Sequence, residues 1–185
     1  MARGFFKIFV LLILIFGILY FLYSNENPFV KQIFEETLKS IQEKYDRYAL
    51  NESKKAFDKI NEIRYENGKS KLVWDDRLYE LAKYRAKDMY DRGYYSHITP
   101  EGKTVNEIAD SYGIYTDVGE NLGKGYISPS EAIEGWMNSP AHKYNLLYDG
   151  HRLGAFAYYM DIYVFLATGS GSWTYELGIL IPIQK

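Results

Sequence analysis

Apolar and polar residues follow two different periods along this chain, after a start that has no period at all. Ile8 to Tyr23 is an unbroken apolar run, extended by Phe5 and Phe6 behind Lys7. As a helix, residues 5–23 reach about 28 Å, enough to cross a hydrocarbon core of about 30 Å with Lys7 snorkelling. After Pro28 a period of 3.6 sets in: Phe34, Leu38, Ile41, Tyr45 and Tyr48 form one stripe on a helix. The pattern is denser from Asn51. Ala56, Phe57, Ile60 and Ile63 mark a helix that Asn67-Gly68 stops, and Leu72-Val73-Trp74 is a short extended stretch. Leu78, Leu81, Ala82, Arg85, Ala86 and Met89 are inward positions of a second helix, with Asp75 as N-cap and Gly93 as stop. A shorter helix is expected between Gly102 and Gly113, and another over Ser130 to Asn138 behind Ser128-Pro129.

Beyond Leu147 the period changes. Leu153 to Tyr159 and Ile162 to Thr168 are β-rich runs around Met160-Asp161, which predicts a hairpin. Tyr175 to Ile183 is a last run, either a paired strand or a cover for a sheet edge. Helices followed by an antiparallel sheet make the fold class α+β. The chain divides into residues 1–24 as cytoplasmic start and transmembrane signal anchor, 25–50 as a juxtamembrane helical spacer, 51–172 as the globular domain and 173–185 as a C-terminal strand or tail.

The flanks of the first run orient it. Arg3 and Lys7 precede it, while Glu26, Glu35 and Glu36 follow, which places the N-terminus in the cytoplasm and the domain outside the cell membrane. A cleaved signal has an apolar region of about 7–15 residues and a small-residue cleavage site. This run is longer and ends in Phe21-Leu22-Tyr23-Ser24-Asn25, so a single-pass anchor is favoured over a cleaved signal.

Composition narrows the chemistry. The 185 residues hold no cysteine, which removes disulfides, thiol catalysis and Cys-ligated zinc. Net charge is −2, and the first 24 residues carry only Arg3 and Lys7, so the exported part is more acidic still. Nucleic acid is not an expected partner of such a surface.

Three polar clusters carry the candidate chemistry: Ser96-His97-Ile98-Thr99-Pro100, Gly119-Glu120-Asn121-Leu122, and Trp136 to Leu147 with His142 in it. Two neutral imidazoles and one carboxylate suffice to bind Zn²⁺ with a position left for water, so His97 and His142 are candidate metal ligands with Glu120 as ligand or orienting partner. The same three groups suit proton transfer, Glu120 raising the pKa of one histidine. They also suit a purely structural role, pinning long connections by hydrogen bonds. No H-E-x-x-H motif and no Gly-x-Ser-x-Gly elbow is present. His151, after Asp149-Gly150, is expected in an exposed turn, and Asn145 is expected to bridge a loop. Ser139-Pro140 reads as a helix start, with Ser139 as N-cap.

Asn61-Glu62-Ile63-Arg64, Leu72-x-Trp74-Asp75-x-x-Leu78, Ala82 and Ala86, Tyr95-Ser96-His97, Gly119-Glu120-Asn121, Trp136-Met137-Asn138-Ser139-Pro140-x-His142-x-x-Asn145-Leu146-Leu147 and Leu153-Gly154 occur in one order. Over about residues 54–170 the chain thereby resembles the CAP superfamily (cysteine-rich secretory proteins, antigen 5 and pathogenesis-related proteins), in its disulfide-free SCP-like branch. The resemblance implies an α-β-α sandwich with a central antiparallel sheet, an extracellular role, and a cleft lined by two His and two Glu associated with a divalent metal. By motif, His97, Glu120 and His142 match three of those four positions. Ser139 stands where the second Glu is expected, and Glu134 lies on another face of the same helix.

Three functions follow as expectations. The first, and the favoured one, is a binding or interaction module at the cell surface whose ligand is a lipid, glycan or protein. The alternative is a metal-dependent hydrolase of peptide or cell-envelope polymer, with His97, Glu120 and His142 as its catalytic set. The last is a structural surface protein.

Overall fold

The computed structural model describes residues 15–21, 28–169, 173–176 and 179–182. The chain falls into two units, Met1–Tyr48 and Ala49–Lys185. In the first, residues 15–21 are helical, and most of the run behind the anchor expectation lies outside the described residues. Among the described residues no helix is long and apolar enough to cross a membrane. Helix α1, Pro28–Glu66, runs without a break, because nothing between Tyr48 and Ser53 is a Gly or a Pro. Leu38, Ile41, Tyr45 and Tyr48 of the predicted stripe are exposed on it.

In the second unit the elements follow as β1 (Val73–Trp74), α2 (Asp76–Asp91), α3 (Val105–Ala109) with a single 3₁₀ turn (Asp110–Tyr112), β2 (Val118–Lys124), α4 (Pro129–Asn138), α5 (Pro140–Leu147), β3 (Leu153–Tyr159) and β4 (Ile162–Thr168). The local signals explain most boundaries. Asp75 caps α2 by accepting from the Arg77 and Leu78 amides, and Thr104 with Glu107 closes a capping box on α3. Gly68, Gly93 and Gly113 end their helical segments at φ of 71°, 68° and 71°, a region other residues avoid. Ser139 occupies the cap position of α5 as expected, but its side chain makes no capping bond.

The four-stranded sheet has the order β1-β3-β4-β2. It is mixed, which corrects the all-antiparallel expectation: β1 runs parallel to β3, pairing Val73 with Leu153 and Trp74 with Gly154. Helices and β2 separate those strands in sequence, and a crossover of that length is what parallel neighbours require. β3 and β4 form the predicted hairpin, with Met160 at a φ of 54° in the turn. Trp173–Glu176 and Ile179–Pro182 (β5 and β6) pair with each other in a separate two-stranded sheet, so the last apolar run folds back on itself.

Both faces of the four-stranded sheet are covered. Ala155, Ala157, Val164 and Leu166 lie in one core with Leu78, Leu81, Ala82 and Met89 of α2. Phe156, Tyr163, Phe165 and Ala167 lie in the other, with Phe57 and Ile60 of α1, Ile133 and Trp136 of α4, and Leu146 of α5. Every residue of β4 is buried, which is why its sequence reads as one apolar run without alternation.

Two side chains from α1 tie this layer together. Asn61 donates to the Leu72 carbonyl at 3.0 Å and accepts from the Leu72 amide at 2.7 Å, acting as a one-residue strand partner. Arg64, fully buried, donates to the carbonyls of Ser70 (2.9 Å), Leu146 (2.5 Å) and Tyr148 (3.3 Å). Replacing Asn61 by Ala orphans both backbone groups of Leu72. The expected loss in urea unfolding is about 2–4 kcal/mol, against less than about 0.5 kcal/mol for the exposed neighbour change Glu62→Ala. Equal effects from the two variants would show that the clamp contributes nothing.

Candidate functional site

β2 is an edge strand, and its side chains alternate between the two faces of the sheet. Val118, Glu120 and Leu122 face the α2 side, while Gly119 and Asn121 face the α5 side. This alternation splits the Gly119-Glu120-Asn121 cluster into two polar networks, one on each side of the strand.

On the α2 side, the Glu120 side chain is 3% exposed and accepts from both neighbours that reach it. Arg85 Nε donates to Oε1 at 2.9 Å, and His97 Nδ1 lies 2.7 Å from Oε2. A carboxylate only accepts, so Nδ1 carries the proton and the Nε2 of His97 is left outward on a side chain 58% exposed. Arg85 is wholly buried and its two terminal nitrogens donate to the Tyr94 hydroxyl (2.9 Å) and the Ser96 carbonyl (2.8 Å). The Tyr94 hydroxyl in turn donates to Asp88 at 2.5 Å. Burial, with the bond to Asp88 second, pushes that hydroxyl up to about 12. The hydrogen bond to Glu120 raises the His97 pKa above its ordinary value, against the opposing effect of burial.

On the α5 side, Asn121 donates to the main-chain carbonyl of His142 at 3.0 Å and accepts from Asn145 at 3.0 Å. Asn145 Oδ1 lies 3.0 Å from His151 Nε2, which must be the donor. Gly119 makes room for this relay: a Cβ there would stand 2.1 Å from Asn145 Oδ1. His142 itself is half-buried, and its ring makes no hydrogen bond among the described residues. Burial lowers its pKa, and the charge on His97 lowers it further, so the two imidazoles lie within electrostatic reach of each other.

The structure thus bonds His97 to Glu120 and brings His142 within electrostatic reach of His97. Asn145 bridges, as expected. His151 does not sit in an exposed turn. It is 6% exposed, wedged edge-on against the Tyr148 ring 5.0 Å away. Burial, then the positive charge of Arg64, pushes its pKa down to about 4. Glu134 is exposed on α4, away from these groups. Pinning of connections falls to Asn121, Asn145, Arg64 and Arg85. Arg85 is the functional residue that pattern reading passed over, and its signal was a charge in the middle of an apolar helical stripe.

The metal expectation can be tested on the donor set. Both oxygens of Glu120 are engaged, and position 139 offers a serine. Two ring nitrogens remain, one short of the three protein ligands a catalytic zinc needs. Among the described residues no group of three or more His, Cys, Asp and Glu is placed to hold a metal ion. Glu120 occupies instead the place of an orienting carboxylate behind His97.

Comparison with known proteins places the domain in a family. The model of the cysteine-rich secretory protein family (CAP) matches residues 57–163. Two Bacillus subtilis (strain 168) proteins are similar: the membrane protein YlbC, 31% identical over 57% of this chain, and YkwD, 35% identical over 51%. The chain spans only 31% and 37% of the lengths of those two relatives. Among solved structures, an extracellular SCP-domain protein from Bacillus anthracis str. Ames superposes with a TM-score of 0.63 at 26% identity, over 65% of this chain and 41% of that one. An outer surface protein from Borrelia burgdorferi gives 0.56 at 25% identity, over 63% and 90%.

Two outcomes are expected from the networks. Glu120→Gln strands the buried Arg85 and costs about 3–5 kcal/mol in urea unfolding. The His97 pKa, read from its ring-proton NMR shift, then falls back toward 6.5; an unmoved value would sink the proposed coupling. For His151, the unfolded chain takes up a proton near 6.5 and the folded protein only near 4. Stability therefore declines as pH falls through that window, by up to about 3 kcal/mol. His151→Gln keeps the donor to Asn145 and should flatten this stretch of the profile.

Proposed function

We propose that this chain, which belongs to the cysteine-rich secretory protein family, is a binding module displayed outside the cell, with His97 and His142 flanking the edge of β2 as its recognition groups. The observation that carries this reading is the Arg85–Glu120–His97 network. It consumes the one carboxylate of the site in orienting an imidazole and leaves the outer nitrogen of that imidazole free. A preformed, rigid donor or acceptor of this kind suits recognition.

Hydrolysis asks for more. General acid–base chemistry by paired carboxylates needs a second one, and Ser139 stands in its place. A metal-activated water needs a third ligand. A metal-dependent hydrolase is therefore the weaker assignment, and no step is derived through a metal.

Location rests on the sequence of the first 24 residues and on what the relatives are. One is named a membrane protein, one an extracellular protein and one an outer surface protein. The apolar run 5–23 serves as a single-pass anchor with the domain outside. Protease added to intact cells should then digest residues 49–185, and alkaline washing should leave the chain in the membrane. A mature form lacking residues 1–24 would replace the anchor with a cleaved signal.

Binding is tested with three probes: phosphatidylcholine vesicles, insoluble peptidoglycan sacculi and an immobilised random-peptide array. The full chain in detergent micelles should be retained on at least one, and the His97→Ala/His142→Ala double variant at least tenfold less. Equal retention of wild type and double variant would remove these histidines from the function. Zinc-dependent release of fragments from sacculi or peptide, lost in the same variant, would instead establish the hydrolase.

A further inference from the structure

We infer that the ligand at this site is an extended polypeptide segment, bound by adding a strand to the open edge of β2; the inference rests on the binding reading above and names its partner. The argument starts from which backbone groups of β2 point where. β2 pairs antiparallel with β4 and, among the described residues, has no strand on its other side. In an antiparallel strand the N–H and C=O of one residue point to the same side, and successive residues alternate.

Three contacts fix the phase. Gly125, just past the strand, donates its N–H to Asp161 on the β4 side. On the outer side, the Val118 N–H donates to the Asn106 side chain at 2.7 Å, and the Leu122 carbonyl accepts from the Trp136 indole at 2.8 Å. The odd residues of β2 thus face β4, and Val118, Glu120, Leu122 and Lys124 face outward.

Along that outward row side chains plug the Val118 N–H and the Leu122 carbonyl, and the groups between those two are not plugged. The Val118 carbonyl, both backbone groups of Glu120 and the Leu122 amide have no partner among the described residues. Of these three residues Glu120 alone is not buried; Val118 and Leu122 are 6% and 4% exposed. The Glu120 side chain is 3% exposed, yet the residue as a whole is only half-buried, so the surface it presents is main chain.

Unpaired edges invite other strands, and proteins blunt them with charges, prolines or covers. Here Asn106 and Trp136 do so at Val118 and Leu122, leaving a window of four groups between them. An acceptor, a donor–acceptor pair and a donor spaced along a strand match a second strand and match little else. A lipid tail offers no donors, and a glycan has no alternating donors and acceptors at the two-residue repeat of about 6.6–6.8 Å.

The neighbours of the window fit the same occupant. The side chain of Glu120 carries His97 on the α2 face, and Asn121 holds the His142 main chain on the α5 face. Side chains of an added strand alternate between those faces, so adjacent ligand residues meet the His97 side and then the side where Asn121 holds the His142 main chain. Backbone pairing supplies affinity and the two histidines supply choice.

The test uses the full chain in detergent micelles and an octapeptide selected from a random display library. The selected peptide is resynthesised with one backbone amide N-methylated at a time. Strand addition predicts that methylation at alternate residues weakens binding about tenfold or more, while methylation of the intervening ones changes it less than about twofold. It also predicts that bound peptide slows amide hydrogen exchange at Glu120 and Leu122 at least tenfold, with Gly119 and Asn121 unchanged. Binding that is insensitive to methylation but lost in His97→Ala/His142→Ala overturns strand addition and leaves the binding reading standing. Binding that survives in the double variant without protection of Glu120 overturns both. Protection of Glu120 that grows with protein concentration in the absence of peptide assigns the edge to a second copy of this chain and overturns the proposal. So does a library that yields no binder.

Discussion

Burying a guanidinium beside a carboxylate is costly unless every proton and lone pair finds a partner. In the Arg85–Glu120 pair each nitrogen and each carboxylate oxygen has a hydrogen-bond partner, and much of the domain is arranged around it. Arg85 projects from the apolar face of α2, so the helix must lie over the α2 face of the sheet at the level of β2. Its two terminal nitrogens reach the Tyr94 hydroxyl and the Ser96 carbonyl, which fixes the chain just after the helix and therefore the position of His97. One pair thus sets the relation of a helix, a strand and a loop. Its net contribution to stability is small in principle, because desolvation offsets most of the attraction; its consequence is geometric. A ring left to rotate in solvent would choose among rotamers, while His97 is held by an acceptor that cannot itself move.

Such polar machinery has only one place to sit in this architecture. The central strands are closed on both faces by apolar cores, and β4 has no residue reaching solvent. At the edge a strand needs only one hydrogen-bonded neighbour, and its side chains can be polar without being stranded between two apolar layers. β2 uses both of its faces this way, Glu120 toward α2 and Asn121 toward α5. The two networks are independent in their hydrogen bonds but share one strand, so a displacement of β2 moves His97 and the backbone of His142 together. The His97 ring and the His142 backbone are in this sense registered by the sheet.

The same logic explains what could be read from the sequence. His97, Glu120 and His142 were legible because short polar clusters interrupt an otherwise periodic chain. α2, α4 and the β3–β4 hairpin were legible because burial of one stripe or one run imposes its period. β2 was not: Gly119, Glu120 and Asn121 are poor strand formers, and only pairing with β4 makes them a strand. The parallel pairing of β1 was equally hidden, since it joins residues 73 and 153 and leaves no local trace. His151 was misplaced because Asp149-Gly150 signals a turn, and a turn says nothing about the ring of Tyr148 and the charge of Arg64 that enclose its end. Arg85 stood in plain view at a core position, and reading it as an ordinary inward residue overlooked that a buried charge demands a partner.

The chain carries no cysteine, although its family is named for that residue, and the substitute is visible. Arg64 donates from α1 to carbonyls 82 and 84 residues away, and Asn61 grips Leu72 from both sides. These are cross-links between distant parts of the chain, made by side chain to backbone. They differ from a disulfide in what they stabilise. A disulfide acts in large part by restricting the unfolded chain, whereas a hydrogen-bonded arginine exists only once the fold has formed. Stability built this way is indifferent to the redox state of the surroundings, because no bond in it can be reduced. It is also intolerant of loss, because each clamp removed leaves buried carbonyls or amides that water cannot reach. A domain that lacks covalent staples and still holds a rigid edge strand must therefore keep its buried donors matched one by one. That is why so many of its polar clusters turn out to grip backbone, and why the His97 ring, outward and only half tied, stands apart from them.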